Sequence, residues 1–485
     1  MMAQLPALSW ADLGPLWIEL SVLGTFLMVF VADLLLGRDE KRGLGALTAM
    51  GLTAVLVATF CYKTEGAAFF GAYVADGMSL YFKQILLLAG IIGSLGSIDH
   101  ADRTMPARQG EHYMMILCSL IGMLVLTGVR DLLLFIVAFE LAGIPLIVLV
   151  GMHKTRVSSE SSLKLYLSGA ASSVLVLYGV SFLWGVAGDT SFASLATATA
   201  SPLFHLGCLL LLAGVSFKLG LVPFHLWVAD AYEGAPTPTV AFISVAPKIA
   251  VVAALARLLS EGLAGLVSLW LPILIGLSVL TMVVGNLTAV TQRDARRLLA
   301  LSGVGHMGLL ILALAIGGIE GNSTLMFYSL AYVVTNMGAF LVVSVVVDAR
   351  EDADLSRFHG LSQSSPAVSA AMLAFLFSLG GIPFMAGFWA KVFVFRAAWI
   401  AGHAPVVLLG VLLAVLALFY YLRIAKAIYI EKAEETKPPL TLRRATIGAL
   451  IICVIGTVGI GLYPGPFLET AEKVAGHLPS FTLPK

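Results

Sequence analysis

The chain has 485 residues, 59% of them hydrophobic and 12% charged, with a mean hydropathy of +0.97 and a formal net charge of +1. Soluble domains carry about 25% charged residues, so this composition excludes a water-soluble globule and indicates a polytopic membrane protein in contact with a lipid bilayer. The net charge itself says nothing about nucleic acid, and no run of Lys or Arg suggests a nucleic-acid binder.

Apolar runs of about 17–25 residues are long enough to cross a bilayer as helices. They predict an all-α membrane protein of about fourteen spans. The first seven lie near residues 13–36, 44–62, 77–98, 112–129, 131–152, 163–187 and 204–234. The others lie near 239–260, 266–290, 298–318, 324–348, 367–400, 405–430 and 444–464. The first cationic residues, Arg38, Lys41 and Arg42, follow the first run, so that helix is expected to be retained rather than cleaved as a signal. The seventh and twelfth runs are over-long, and Gly and Pro interrupt both.

The loops alternate in charge. One set holds Arg38, Lys41, Arg42, Arg103, Arg108, Lys154, Arg156, Arg293, Arg296, Arg297, Arg350, Arg357, Lys432, Lys437, Arg443 and Arg444. The other set, with the C-terminal tail, holds Lys63, Arg130, Arg257, Arg396, Lys473 and Lys485. By the positive-inside rule the first set is cytoplasmic and both termini lie outside. A wrong span count would scramble this alternation, so it supports the count too.

A repeat is visible within the two broken runs. Phe217-Lys218-Leu219-Gly220-Leu221-Val222-Pro223-Phe224 resembles Phe377-Ser378-Leu379-Gly380-Gly381-Ile382-Pro383-Phe384, with a constant offset of 160 residues (Pro223 to Pro383). The copies lie in the seventh and twelfth helices, five apart in order and so an odd number, which means that they enter the membrane from opposite sides. Inverted repeats with a broken helix in each half are a common way to build ion-transport sites. The expected organisation is one membrane domain over 1–485. Residues 1–111 carry helices 1–3, 112–260 the first five-helix repeat (helices 4–8), 266–430 the second (helices 9–13), and 431–485 a last helix and tail.

Charged side chains inside these spans need a purpose, because an ammonium at mid-bilayer costs several kcal/mol at least. Lys164, Lys218, Lys248 and Lys391 sit there, with Glu140. Lysine loses its proton readily when desolvated and regains it beside a carboxylate, so a row of such groups is a candidate proton relay. Glu140, midway along helix 5, is the expected partner of Lys218; a static ion pair is the plainer reading. Lys248 has no acid nearby on its own helix and lies deep in helix 8, which suits a central relay better than snorkelling to an interface. Lys391, eight residues past Pro383, is a candidate terminal donor. Lys164 opens helix 6 and is either an accessory or an interfacial residue. His225 and His306 are candidate accessory proton carriers, or packing residues. Tyr166, Ser168, Ser172, Ser173, Tyr332, Thr335 and Asn336 are candidates to hold water between the titrating groups.

Other motifs carry no chemistry. Gly303-Val304-Gly305-His306-Met307-Gly308 matches GxGxxG but lies within a membrane helix with no strand before it, so it is not a dinucleotide site. Cys61, Cys118, Cys208 and Cys453 are far apart in apolar segments and read as small buried hydrophobes. No metal or cofactor is expected on this chain.

Residues 214–248, GVSFKLGLVPFHLWVADAYEGAPTPTVAFISVAPK, resemble the signature of the antiporter-like subunits of respiratory complex I and of Mrp-type cation/proton antiporters. The resemblance extends through VRDLLLFIVAFELAGIPLIVLVG, SSLKLYLSGAASSVLVLYGVSFLWG, QRDARRLLALSGVGHMG and GGIPFMAGFWAKVFVF. Within that family the chain is most similar to the N-type subunit. The L-type would add a lateral helix and further spans, and the M-type has Glu where Lys391 stands. TGVRDLL, before helix 5, departs from the expected Asn-Asp-Leu pattern without touching a relay residue. The resemblance implies Glu140 and Lys218 as an input pair, Lys248 as central relay, Lys391 as output and Lys164 as the helix 6 lysine. It further implies a bacterial inner membrane. The expected partners are M-type and small helical subunits, with a peripheral arm acting indirectly, and FMN, iron–sulfur clusters and quinone would be held by partner subunits. The alternatives are an Mrp-type antiporter subunit, using the same lysines without electron transfer, and a passive spacer.

Overall fold

The structure, a computed structural model, describes residues 10–37, 40–433 and 438–477. Arg38, Lys437 and Lys485 of the predicted loop sets lie outside the described residues, as do both ends of the chain. The fold is all-α and polytopic, and each of the fourteen predicted spans corresponds to helix.

The first six are α1 (Trp17–Leu35), α2 (Leu44–Cys61), α3 (Gly77–Thr104), α4 (Gln109–Leu126), α5 (Leu132–Val150) and α6 (Arg156–Ala187). α7 runs over Pro202–Leu219 and resumes as Leu226–Gly234; α8 comprises Thr237–Ile243 and Ala246–Arg257. Then come α9 (Val267–Val290), α10 (Ala295–Ile316) and α11 (Gly318–Arg350). α12 runs over Pro366–Gly380 and Ala386–Ile400, and α13 (Ala404–Tyr429), α14 (Arg444–Leu462) and the short α15 (Gly465–Ala475) follow. Among the described residues thirteen helices are long and apolar enough to cross a membrane; α12 fails that test because each half has only 15 residues.

Side-chain caps explain where several helices start. Asp76 and Ser79 form a reciprocal capping box at α3, and the Asp131 and Asp294 carboxylates each accept two backbone N–H groups at α5 and α10. Such caps satisfy N–H groups that have no partner within the helix. Thr155 caps α6, whose first residue lies seven before the predicted start, so Lys164 lies two turns into the helix rather than at its opening. One element outside the helical prediction is a small antiparallel hairpin, β1 (Gly66–Ala68) with β2 (Tyr73–Ala75), which ends at the α3 cap.

Both broken helices stop by the same device. In α7, Gly220 adopts φ +68° and the Leu221 N–H returns to the Ser216 carbonyl; in α12, Gly381 adopts φ +88° and the Ile382 N–H returns to Phe377. This is the Schellman termination, which needs a left-handed residue that only Gly supplies freely. The stop is displaced by one residue from the sequence repeat, because Gly380 is followed by a second Gly whereas Gly220 is followed by Leu. A third distortion was not foreseen: α8 bends at Ser244–Val245. Pro247 accounts for it, since its ring collides with the carbonyl four residues earlier. Lys248 therefore begins the straight half of a bent helix.

The most apolar windows of α8 and α10 are wholly buried, whereas those of α1, α6, α9 and α13 are a third buried or less and expose Leu and Val outward. Lys248 and His306 thus lie on the two central helices, shielded from lipid by the others.

Candidate functional site

The break in α7 places Lys218 in the last turn before Gly220, facing α5. Its Nζ lies 4.4 Å from the centre of the Phe139 ring and 3.4 Å from the Phe139 carbonyl. A cation over an aromatic face is attracted by the ring quadrupole. Gly143 leaves the room: a Cβ at that position would overlap the Lys218 ammonium. Because the obstructed group is the tip of a flexible chain, Gly143→Ala is expected to displace Lys218 while the protein still assembles. A several-fold loss of lysine-dependent activity with normal accumulation in the membrane is the expected outcome.

Glu140, one turn before Gly143, does not ion-pair with Lys218 within 4.0 Å. The Ser173 hydroxyl donates to its Oε1 at 2.5 Å instead. The structure therefore brings carboxylate and lysine to the same helix pair, with Ser173 holding the carboxylate on the α6 side.

Lys218 and Lys248 line one cavity between α5, α6, α7 and α8, together with Ser168, Ser172 and Trp227. It offers about 40 Å³ to water centres. A water needs about 10–15 Å³ of such room, so the cavity accommodates roughly three. The Lys248 Nζ is buried with no hydrogen-bond partner, and the Tyr232 ring centre lies 5.6 Å away. The hydroxyls of Tyr232 and Tyr332 and the Asn336 Oδ1 are also buried and unpartnered. Buried polar groups are almost always satisfied by protein or ordered water, which makes this group the polar centre of otherwise apolar packing. Asn336 Nδ2 donates to Ser244 Oγ at 2.9 Å, tying α11 to the bend just before Lys248.

The Tyr332 ring lies 5.3 Å from His306, centre to centre. His306 is hydrogen-bonded on both nitrogens, Nδ1 to Tyr328 at 2.6 Å and Nε2 to Tyr421 at 3.1 Å. It shares a second, smaller cavity with Lys391, between α9, α10, α12 and α13. From the second half of α12, Lys391 folds back onto the end of the first half. Its Nζ donates to the Leu379 carbonyl at 2.7 Å and the Gly380 carbonyl at 3.1 Å. Helix breaking strands those carbonyls, and the helix C-terminus favours a cation. In α7 a neutral group does part of this work: the Trp227 indole donates to the Phe217 carbonyl at 2.9 Å. The residue matching Lys218 in the second copy is Ser378, whose hydroxyl lies 3.0 Å from that of Thr335.

Two candidates stand apart. Lys164 is exposed and pairs with Glu160 at 2.8 Å and Asp230 at 2.9 Å; Arg297 of α10 also pairs with Asp230, at 3.0 Å. It belongs to a charged cluster where α6, α7 and α10 meet, on the side of the basic loops. His225 sits in the gap of α7 with Nδ1 buried and unpartnered, outside both cavities. Among the water-holding candidates, Ser168 and Ser172 line the first cavity, whereas Tyr166 is exposed. Cys61 is exposed at the end of α2, unlike Cys208 and Cys453.

Sequence reasoning missed Tyr232, Tyr328 and Tyr421, which tertiary packing brings to Lys248 and to His306. It also missed two deeply buried cations. Lys83 is 1% exposed, 2.9 Å from Glu19, and hydrogen-bonded to Tyr73. Arg257 is fully buried and pairs with Asp76 and Glu261, each at 2.8 Å. Both lie within two turns of a predicted helix end, where snorkelling is the usual expectation. Among the described residues no group of three or more His, Cys, Asp or Glu is placed to hold a metal ion.

A family described as NADH:quinone oxidoreductase/Mrp antiporter, TM, matches residues 129–417, a span that contains all seven candidate residues. The NADH-quinone oxidoreductase subunit N of Moorella thermoacetica is 35% identical over 96% of this chain and 98% of its own length. That of Chloroflexus aggregans is 36% identical over 97% and 98%. Among solved structures, a chain of respiratory complex I from Thermus thermophilus with bound aureothin superposes with TM-score 0.81. It is 31% identical and covers 93% of this chain and 98% of its own length. A chain of the Mrp complex from Dietzia sp., 20% identical, has the same fold, with TM-score 0.83 over 97% and 98%. The chain belongs to the NADH:quinone oxidoreductase/Mrp antiporter membrane family, among the N subunits of NADH-quinone oxidoreductase.

Proposed function

We propose that this chain is a proton-translocating membrane subunit of NADH:quinone oxidoreductase, driven by electron transfer in other subunits. What carries the reading is the pairing of buried lysines with water-sized cavities. Lys218 and Lys248 share one, Lys391 and His306 share the other, and Tyr232 and Tyr332 stand between. Glu140 with Lys218 is the input pair, Lys248 the central relay and Lys391 the output. His306 is an intermediate, with Lys164 and His225 as accessories.

The energetics are of the right size. Lifting a proton against ~180 mV costs ~4 kcal/mol. Two unit charges 4 Å apart at an effective dielectric near 20 interact by about 4 kcal/mol. Moving Glu140 from Ser173 to Lys218 and back therefore charges and discharges the lysine with enough free energy for one proton.

In this reading residues 112–260 and 266–430 are the two inverted repeats, 1–111 and 431–485 flank them, and the membrane is the bacterial plasma membrane. The basic loops face the cytoplasm and both termini the outside. The partners are other membrane subunits of the complex, and FMN, iron–sulfur clusters and quinone belong to subunits other than this one. Replacing Lys218 or Glu140 by Ala in the assembled complex is expected to cut protons moved per NADH oxidised at least about tenfold, less than the roughly hundredfold that a positioned proton carrier typically contributes at minimum. Full pumping in both variants contradicts the relay.

The family description also covers Mrp antiporters, which supports a second reading as a cation/proton antiporter subunit. Purification from native membranes separates the two: an oxidoreductase subunit brings flavin and iron–sulfur subunits with it, and an antiporter does not.

A further inference from the structure

A titratable cluster far from Lys218 has the construction of a second proton-uptake site. In the last turns of α3 and α11, His100 Nδ1 lies 2.9 Å from Asp348 Oδ1, and Arg103 donates to Asp348 Oδ2 at 2.6 Å. The other nitrogen of His100, Nε2, lies 3.0 Å from Nε2 of His153, just past the end of α5. Two imidazole nitrogens so close share one hydrogen, carried by one and accepted by the other. Burial, and secondarily the neighbouring His100, hold the His153 imidazole down to about 4. His100 thus lies between the Asp348 carboxylate on one nitrogen and the poorly basic His153 ring on the other. Nearby at the start of α4, His112 is buried with both ring nitrogens unpartnered.

This cluster opens onto a cavity offering about 240 Å³ to water centres, lined by Asp99, His100, Arg103, Ser344, Asp348 and Thr446. Arg443, also at its wall, is committed to Asp102 at 2.7 Å, and Asp99 accepts from the Thr446 hydroxyl at 2.6 Å. A polar seam leads inward from it. Residues four or eight apart share a helix face, which aligns Asp348, Ser344 and Asn336 on α11. On α3, His100, Ser97 and Ser94 follow at three-residue steps. The two helices interlock there, with Leu341 of α11 occupying the space above Gly96, while Phe242 of α8 lies 3.1 Å from a Cβ on Gly93. The Ser94 hydroxyl and Asn336 Oδ1 are buried and unpartnered along the seam. Asn336 then bonds Ser244, one turn before Lys248.

We propose that His100, His153 and Asp348 form a proton-uptake site on the basic-loop face that supplies Lys248 along the α3–α11 seam, separately from Lys218. The site takes a proton from water at His100 and delivers it to the Lys248 amine; no other reactant is needed. The proposal rests on Lys248 being a relay, so the test includes that residue. In the assembled complex in sealed vesicles, protons moved per NADH oxidised would be measured from pH 6 to 8.5 for D348N, S344V and K248M. D348N and S344V are expected to lower the ratio about twofold, with a deficit that widens as pH rises and uptake becomes limiting. A purely structural role would reduce the amount of complex and leave the ratio and its pH profile unchanged. Should D348N fail to assemble, S344V, which touches neither the ion pair nor the histidines, decides. A normal ratio for S344V and for any assembled D348N, with K248M inactive, overturns the uptake site alone. A normal ratio for K248M overturns the relay and the uptake site with it.

Discussion

Replacing Arg257 by Met is expected to prevent stable accumulation of the protein. The guanidinium is fully buried and neutralises both Asp76 and Glu261, while Arg130 holds the other oxygen of Glu261 at 2.6 Å. Removing one partner from a buried ionic network costs about 3–5 kcal/mol, because the remaining charges lose their compensation. Asp76 is also the α3 cap and ends the hairpin strand that carries Tyr73, so the loss reaches the Lys83–Glu19 pair. Stabilities of about 5–15 kcal/mol leave little margin for that. Adding Asp76→Asn and Glu261→Gln to Arg257→Met removes the stranded charges and is expected to recover part of the yield. Measured accumulation in membranes checks both variants, and an undiminished single variant would show the network to be dispensable.

The second large effect separates a structural lysine from a working one. Lys391→Arg keeps a cation on the Leu379 and Gly380 carbonyls, so α12 should still fold and the complex assemble. A guanidinium does not release its proton in a protein, so the terminal step should stop. The expected outcome is normal assembly with protons per NADH reduced at least about tenfold. Retained pumping in Lys391→Arg would mean that the ammonium serves only to cap a broken helix.

The parts legible from sequence were those written in local chemistry. The Gly and Pro residues at 220–223 and 380–383 announce a broken helix whatever surrounds them, and fourteen apolar runs announce fourteen helices. The one-residue shift of the second stop was also readable, had Gly381 been weighed as the better left-handed residue. Pro247 carried the signal for the α8 bend. What stayed hidden depends on packing between distant segments. No spacing rule joins Tyr232 to Lys248, Tyr328 to His306 on the next helix, or Tyr421 to His306 across more than a hundred residues of chain. The Ser173 contact of Glu140 was hidden for the same reason: charge complementarity points to Lys218, and only the approach of α6 puts Ser173 on the carboxylate. Lys83, near the start of α3, is hidden in the same way, since only tertiary packing brings Glu19 and Tyr73 to its amine.

Lys248 is the centre of the proposed path; among the buried lysines of the described residues it is the one with neither an ion pair nor a hydrogen bond at its amine. Methionine matches its bulk and leaves no charged neighbour stranded, so Lys248→Met tests transport with little penalty to folding. The decisive measurement is the number of protons moved into sealed vesicles per NADH oxidised by the assembled complex carrying Lys248→Met. The relay predicts a fall of at least about tenfold; an unchanged ratio would contradict it.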